Sequence, residues 1–346
     1  MANAFSIRLA TPDDRPRILE VLGELLGDEI PGASLARRHE WLYEANPHGH
    51  AITWLAIDDA TKEVAGVTSF FPRRLVVSSG SGVASDRAPT VLGALGGDGF
   101  VRPKFRRRGI MQSMHKRSRE DLPGHGIEVM FGTPMPANFT PLATAGSADV
   151  TRVARFVRPL SGRAFHLRGE RADRIVRALL VPRSRAYLDP ATIADTRVND
   201  VWGQAQNDLG ITTERDAAYF TWRYVVSPSQ RQHAFVILEG SEAIGACALE
   251  RQGENMRIID LVTTRRQWGT ALRAIANYAS GCNSVEIRLT LDQAKSRQMW
   301  RRGYVLRDAA PRPLNIVLPP GDPKASTFLD GPRWYVTWTE TDRDYS

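Results

Sequence analysis

The sequence predicts an α/β (α+β) fold built twice in tandem, each copy a mixed, mostly antiparallel sheet flanked by helices. Three observations carry this. The chain has 346 residues, beyond the ~250–300 at which one hydrophobic core stops growing. Strand-like runs pair across short turns, with helix-like runs of 3.6-residue spacing between them. The order of these elements, though little of their residue identity, returns in the second half.

Ser6–Leu9 reads as a strand, and Thr11-Pro12-Asp13-Asp14 as a capped helix start. Ile18, Leu19, Leu22, Leu25 and Leu26 then recur at helical spacing. Trp54–Ile57 and Val64–Phe71 form a predicted hairpin across the Asp58–Thr61 turn. Thr90–Val101 is a glycine-rich strand, Ile110–Leu122 a helix, Val129–Phe131 a short buried strand and Thr140–Thr144 a short helix ended by Gly146. From Arg152 the pattern loosens into a basic stretch with one helix, Ala172–Leu180. The second series follows: a helix at Asp216–Tyr224, paired strands at His233–Leu238 and Ile244–Glu250, and a strand at Met256–Val262. A helix at Trp268–Ala279, a strand at Val285–Thr290, a helix at Gln293–Arg301 and a last strand at Trp334–Thr339 complete it. The expected units are 1–150, a linker region 151–185 with a basic helix, and 186–346.

Composition removes several function classes. Hydrophobic residues make up 42% and charged residues 24%, as in a globular protein rather than a disordered one. The net charge of +8, mostly arginine, favours anionic partners without choosing among them. Cys247 and Cys282 have no metal-ligand spacing, and the seven histidines form no HxxxH pair and only one HxH, His48-Gly49-His50, so no metal is expected. The start MANAFSIRLATPDD lacks the order of a signal peptide, and no apolar run approaches the ~18 residues of a membrane span. A cytoplasmic protein without a membrane partner is the expectation.

The most informative stretch is FVRPKFRRRGIM, Phe100–Met111. Lys104, Arg106, Arg107 and Arg108 crowd a loop that ends in Gly109 and opens a helix. The first amides of a helix have no intrahelical partner and its dipole is positive there, so a pyrophosphate fits. A solvated basic patch is the other reading of the same residues.

Val101, Pro103, Arg106 and Gly109 form V-x-P-x-x-R-x-x-G, which resembles the pyrophosphate loop of the GCN5-related N-acetyltransferase superfamily. That family's pattern is Gln/Arg-x-x-Gly-x-Gly/Ala, from which Met111 departs at the final small residue. SIRLATPDD, the Phe131–Gly146 segment and DAAYFTWRY (Asp216–Tyr224) resemble further pieces of tandem members in order. The resemblance covers nearly the whole chain and is specific in the first half.

It implies an N-acyltransferase that takes an acyl group from acetyl-CoA or a longer acyl-CoA. The implied cofactor residues are Arg106, Arg107, Arg108, Gly109, Ile110 and Met111, with the backbone near Phe100 and Val101 donating to the thioester carbonyl. Asn138 would touch the pantetheine arm or simply cap a helix. Asp98, on the strand that opens in this superfamily, is the implied catalytic base; its plainer reading is a strand bend in which the carboxylate bonds backbone. The tyrosine that many relatives use as acid is missing from Asn138–Leu142. Trp222 and Arg223 line the acceptor pocket or pack in the core. His115 reads as a surface residue, Glu128 as a solvated or helix-contacting one, and the tail acids Glu340, Asp342 and Asp344 as a polar end or an alternative base. In the second copy, TTRRQWGTAL (Thr263–Leu272) keeps Arg265, Arg266 and Gly269, but Trp268 crowds the helix mouth. That copy is expected not to bind CoA and to wall the acceptor cleft.

The acceptor is expected to be a small-molecule amine, an amino sugar or a peptide amine. An acyl carrier protein as donor is a second reading, meeting the basic loop and the arginines of 151–185. A non-catalytic anion- or nucleic-acid-binding protein is a third, with nucleic acid disfavoured because stacking aromatics do not alternate with the arginines.

Overall fold

The computed structural model describes residues 5–26, 32–78, 88–167, 169–308, 310–321 and 324–340. The first series runs β1 (Phe5–Leu9), α1 (Arg15–Leu26), α2 (Gly32–His39), β2 (Ile52–Asp58), β3 (Val64–Val77), β4 (Thr90–Val101), α3 (Ile110–Asp121), β5 (Val129–Gly132), α4 (Phe139–Thr144) and β6 (Ala148–Pro159). The second runs α5 (Glu170–Leu180), β7 (Tyr187–Pro190), α6 (Thr196–Ala205), β8 (Ile211–Thr213), α7 (Ala217–Phe220), β9 (Gln232–Glu239), β10 (Glu242–Gln252), β11 (Asn255–Thr263), α8 (Trp268–Tyr278), β12 (Ser284–Thr290), α9 (Gln293–Arg301), β13 (Val305–Leu306), β14 (Arg312–Val317) and α10 (Ala325–Phe328). A π-helical turn continues α2 over Glu40–Glu44, and another continues α7 over Thr221–Val225.

The strands form one mixed sheet in the order β1-β2-β3-β4-β5-β14-β6-β12-β11-β10-β9-β7, with β13 beside β6 and β8 beside β3. All neighbours are antiparallel except β4–β5 and β11–β12. Read inward from either edge, the sheet repeats itself: four antiparallel strands, a parallel partner, then a strand supplied by the other half. β14 completes β5, and β6 completes β12. The expected linker therefore begins as strand, because residues 151–159 lie in β6 at the middle of the sheet.

Strand alternation assigns the helices to faces. Leu55, Val67 and Phe71 share a core with Ile18, Val21 and Leu22 of α1. Ala56, next to Leu55, and Ala65, at the β-bulge where β3 slips against β2, pack instead with Ile110 and Met114 of α3. Thus α1 and α3 cover opposite faces.

The halves meet through their π-helical turns. Trp41 Nε1 donates to the Trp222 carbonyl at 2.7 Å, and Trp222 Nε1 donates to the Trp41 carbonyl at 2.8 Å, with the indoles stacked at 5.2 Å. This reciprocal pair is the local signature of a pseudo-twofold axis.

The expected last strand is not one. Trp334 makes a single bridge to Ile211, and the segment to Glu340 is held by side-chain bonds instead of a ladder. Its strand-like composition reflects burial, which aromatic and β-branched residues satisfy in either state.

Candidate active site

β4 and β5 are in register only from Gly93↔Val129 to Leu95↔Phe131, and beyond this they part. From Gly96 onward the β5-facing backbone groups of β4 have no strand partner. On the other edge, β4 bulges against β3: Val67 pairs with Phe100 and Ser69 with Gly97, so Thr68 faces both Asp98 and Gly99. Asp98 takes the left-handed conformation, φ 49°, that the bulge requires. A Cβ at Gly97 would lie 2.9 Å from the Phe71 ring, so glycine keeps this stretch close against β3.

The splay opens into a cleft of about 530 Å³. Its lining includes Leu25 and Arg38 from α1 and α2, and His115 and Leu142 from α3 and α4. With α1 and α3 on opposite faces, the cleft reaches from one face of the sheet to the other. Asn315 and Val317 of β14 form part of the wall, so the second half contributes to it.

Asp98 lines this cleft in a built cluster. Arg38 donates two bonds to its carboxylate, both at 2.8 Å, and Tyr43 of the π-helical turn donates a third at 2.7 Å to Oδ2. Burial and the neighbouring carboxylate hold the Tyr43 hydroxyl well above its ordinary pKa, so it stays a donor. The plainer sequence reading, a carboxylate tied to backbone, is corrected: Asp98 bonds side chains.

The loop 102–109 is ordered by ion pairs. Arg102 pairs with Glu20 and Glu24, Lys104 with Glu63, and Arg108 with Asp58 at 2.9 Å. Arg106 and Arg107 are exposed; Arg106 donates to the Val101 carbonyl at 3.1 Å and lies over the Phe100 ring. Gly109 caps α3 at φ 74°, with nothing within 4 Å of where a Cβ would stand. Ile110 is buried beneath the first turn. Met111 lies across β4, its methyl 3.5 Å from a Cβ placed on Gly99, so the bulky residue is matched by a bare strand.

Two polar groups of the cleft wall escaped the sequence reading. His115 is buried instead of surface-exposed, its ring edge-on to Phe70, and neither ring nitrogen has a partner among the described residues. Burial pushes its imidazole down to about 4, leaving it neutral. The buried Thr133 hydroxyl, just past β5, also lacks a partner. Such groups are costly to leave unsatisfied, so a ligand with polar atoms suits the cleft. Asn138 lines it too; it stands at the N-cap position of α4, as the plainer reading has it, but its side chain makes no capping bond.

The second half repeats the cluster and closes it. β11 and β12 are in register from Asn255↔Ser284 to Ile258↔Ile287 and then part, and β11 bulges against β10 between Ile258 and Asp260. Asp260 Oδ2 accepts from Arg215 at 2.7 Å and from Tyr224 at 2.9 Å. Arg38, Asp98 and Tyr43 thus have counterparts in Arg215, Asp260 and Tyr224. Here the C-terminal segment fills the opening: Thr337 donates to Asp260 Oδ1 at 3.0 Å, Thr339 bonds the Tyr224 hydroxyl at 2.7 Å, and Glu340 accepts from Arg215 at 2.6 Å. Burial raises the Glu340 carboxyl, and Arg215 partly offsets this. Trp268 stands at the start of α8 against Tyr335, and a Cβ on Gly269 would lie 2.9 Å from Arg302, so Trp268 and Arg302 crowd this helix start; the cavity of about 320 Å³ beside it, lined by Thr263, Arg265, Trp268 and Tyr335, does not include Asp260.

Trp222 and Arg223 are core residues: Trp222 stacks on Trp41, and Arg223 is fully buried over the Trp41 ring. Neither lines the cleft around Asp98, which corrects their assignment to an acceptor pocket. Glu128 pairs with Lys324. Glu340 is a buried ion-pair partner rather than a polar end, while Asp342 and Asp344 lie outside the described residues. Among the described residues no cluster of three or more His, Cys, Asp or Glu could hold a metal, and no helix is long and apolar enough to cross a membrane.

The sequence matches no family model and no curated protein significantly. Solved structures do match. A GCN5-related N-acetyltransferase from Anabaena variabilis is 14% identical with a TM-score of 0.64, over 90% of this chain and 72% of that one. One from Kribbella flavida is 14% identical with a TM-score of 0.58, over 92% and 72%. Eis1 from Mycobacterium abscessus is 15% identical with a TM-score of 0.58, over 93% and 75%. At these identities the likeness is one of fold: the chain has the fold of the GCN5-related N-acetyltransferases.

Proposed function

We propose that this protein is an N-acyltransferase that moves an acyl group from an acyl-CoA to a primary amine. The observation that carries the reading is the continuity of the open β4–β5 splay with the left-handed Gly109 at the mouth of α3. The amides of that first turn, with Arg106 and Arg107, receive the donor's pyrophosphate. The pantetheine arm follows β4 inward, where His115, Thr133 and Asn138 meet its polar atoms. The unpaired backbone donors of β4 near Phe100 and Val101 polarise the thioester carbonyl as an oxyanion hole.

The acceptor amine approaches Asp98. Oδ2 is taken by Arg38 and Tyr43, but Oδ1 accepts only from Arg38 among the described residues. The amine donates to Oδ1, as Thr337 does to the matching oxygen of Asp260. Nitrogen attacks the carbonyl carbon, the C–N bond forms and the C–S bond breaks. Sulfur leaves with its electron pair as thiolate, and the amine proton passes to Asp98 directly or through water. Residues 1–150 supply the donor site, and 186–346 add the wall from β14.

Calorimetry with acetyl-CoA and longer acyl-CoAs tests this. Wild type is expected to bind one acyl-CoA per chain and Gly109→Glu none, since the substitution puts an anion on a strained backbone at the pyrophosphate position. Unchanged binding in Gly109→Glu would overturn the assignment of the loop. No binding by wild type would move the donor to a carrier protein.

A further inference from the structure

α5 is anomalous. Its apolar residues are arranged on one side, yet it buries none of its residues. Arg171, Arg174, Ile175, Ala178 and Leu179 form a continuous outward stripe at i, i+3, i+4, i+7 and i+8, with Ile175 63% and Leu179 79% exposed. The turn before the helix adds Phe165 and Leu167, each nearly half exposed, and Arg183 follows it. Beside it ends α9, which presents Arg297, Arg301 and Trp300, the last 71% exposed. Arg158 binds the two ends together, donating to the carbonyls of Leu180 and Arg302.

We propose that this face docks on an anionic lipid surface, with α5 lying flat in the headgroup layer. Ile175, Leu179 and Trp300 enter the interface, and the surrounding arginines contact lipid phosphates. Three features favour lipid over an acidic protein. Leu167 and Arg174 line a shallow cavity, but Ile175, Leu179 and Trp300 stand out from their helices, and a bilayer takes protruding groups without a shaped counterpart. Arginine stems reach upward while their heads stay hydrated. A tryptophan beside aliphatic residues and arginines is the mixture that partitions to the boundary between headgroup and acyl chain. Stable attachment needs an apolar and an electrostatic signal together, and this face carries both. The inference does not depend on the acyltransferase reading.

Co-sedimentation of the full chain with phosphatidylcholine vesicles, and with vesicles also containing phosphatidylglycerol, tests it. Wild type is expected to pellet with the second kind only, and less as salt rises. The double variant Ile175→Glu/Leu179→Glu should lose binding about tenfold or more. Arg171→Gln/Arg174→Gln should weaken binding and flatten its salt dependence. Both pairs are exposed, and unchanged thermal unfolding of each variant shows that loss is not misfolding. Wild type that stays in the supernatant with both vesicle types overturns the proposal and leaves the face to an acidic protein. Binding that both variants leave intact overturns it as well, by placing the contact elsewhere.

Discussion

The two splayed strand pairs of this molecule are built on one plan and finished differently. Each has a bulge that presents an aspartate, an arginine that grips it, and a tyrosine from a π-helical turn that bonds it. Around Asp98 a cleft of about 530 Å³ remains among the described residues, lined in part by the unpartnered polar atoms of His115 and Thr133. Around Asp260 it is filled by Thr337, Thr339 and Glu340 of the same chain. The arginine–aspartate–tyrosine cluster is therefore part of the framework, since it persists where Thr337, Thr339 and Glu340 of the same chain occupy the space beside it. What distinguishes a site from a scaffold is the cleft that Asp98 lines, its Oδ1 bonded by Arg38 alone among the described residues, and the uncrowded Gly109 at the mouth of α3.

The largest effect should come from neutralising the two aspartates. Asp260→Asn leaves Arg215 buried with one carboxylate fewer and should cost about 3–5 kcal/mol of stability in urea unfolding. Asp98→Asn should cost less, because its cleft admits water, but should lower turnover strongly while leaving acyl-CoA binding intact. If Asp98→Asn proved the more destabilising and left turnover alone, the distinction between site and scaffold would be reversed.

Thr133→Val sharpens the comparison with a smaller change. It removes a buried hydroxyl without a partner, so the ligand-free protein should melt no lower than wild type. Acyl-CoA affinity should fall by about 1 kcal/mol, roughly fivefold, for the lost bond. Equal affinity would place the donor arm away from β5.

The smallest expected effect is one of pH. Burial holds His115 at about 4 in the folded protein against 6.5 ordinarily. As pH falls through 6.5, the unfolded chain gains a proton that the folded chain refuses until about 4, so stability declines across that window. Above it the group contributes no pH dependence. His115→Leu should make the decline in melting temperature between these limits shallower; His39 and His48, lowered in the same direction, keep it from vanishing. An identical slope would mean that His115 is solvated.

Local rules made much of this legible. The sequence reading of β4 as Thr90–Val101 and of the α3 start at Ile110 coincides with the structure, because turn glycines and helix periodicity act over a few residues. Partners distant in sequence were invisible. Nothing near Asp98 announces Arg38, sixty residues away, and a lone histidine on a polar helix reads as surface until the cleft is seen. One available signal went unused: Trp41-Leu42-Tyr43 and Trp222-Arg223-Tyr224 share a Trp-x-Tyr spacing. It would have paired the two halves and assigned Trp222 to the interface.

The exchange of β6 and β14 also sets an order on synthesis. The wall of the cleft around Asp98 includes Asn315 and Val317, and β5 meets its second neighbour only when Arg312–Val317 has been made. A growing chain that has already emitted the basic loop and α3 still carries an unpaired edge at β5, exposed to wrong partners. A cut after β6 would part β5 from β14 and β12 from β6. The cleft is completed only once Arg312–Val317 has been made, so the two halves of the sheet close together instead of one after the other.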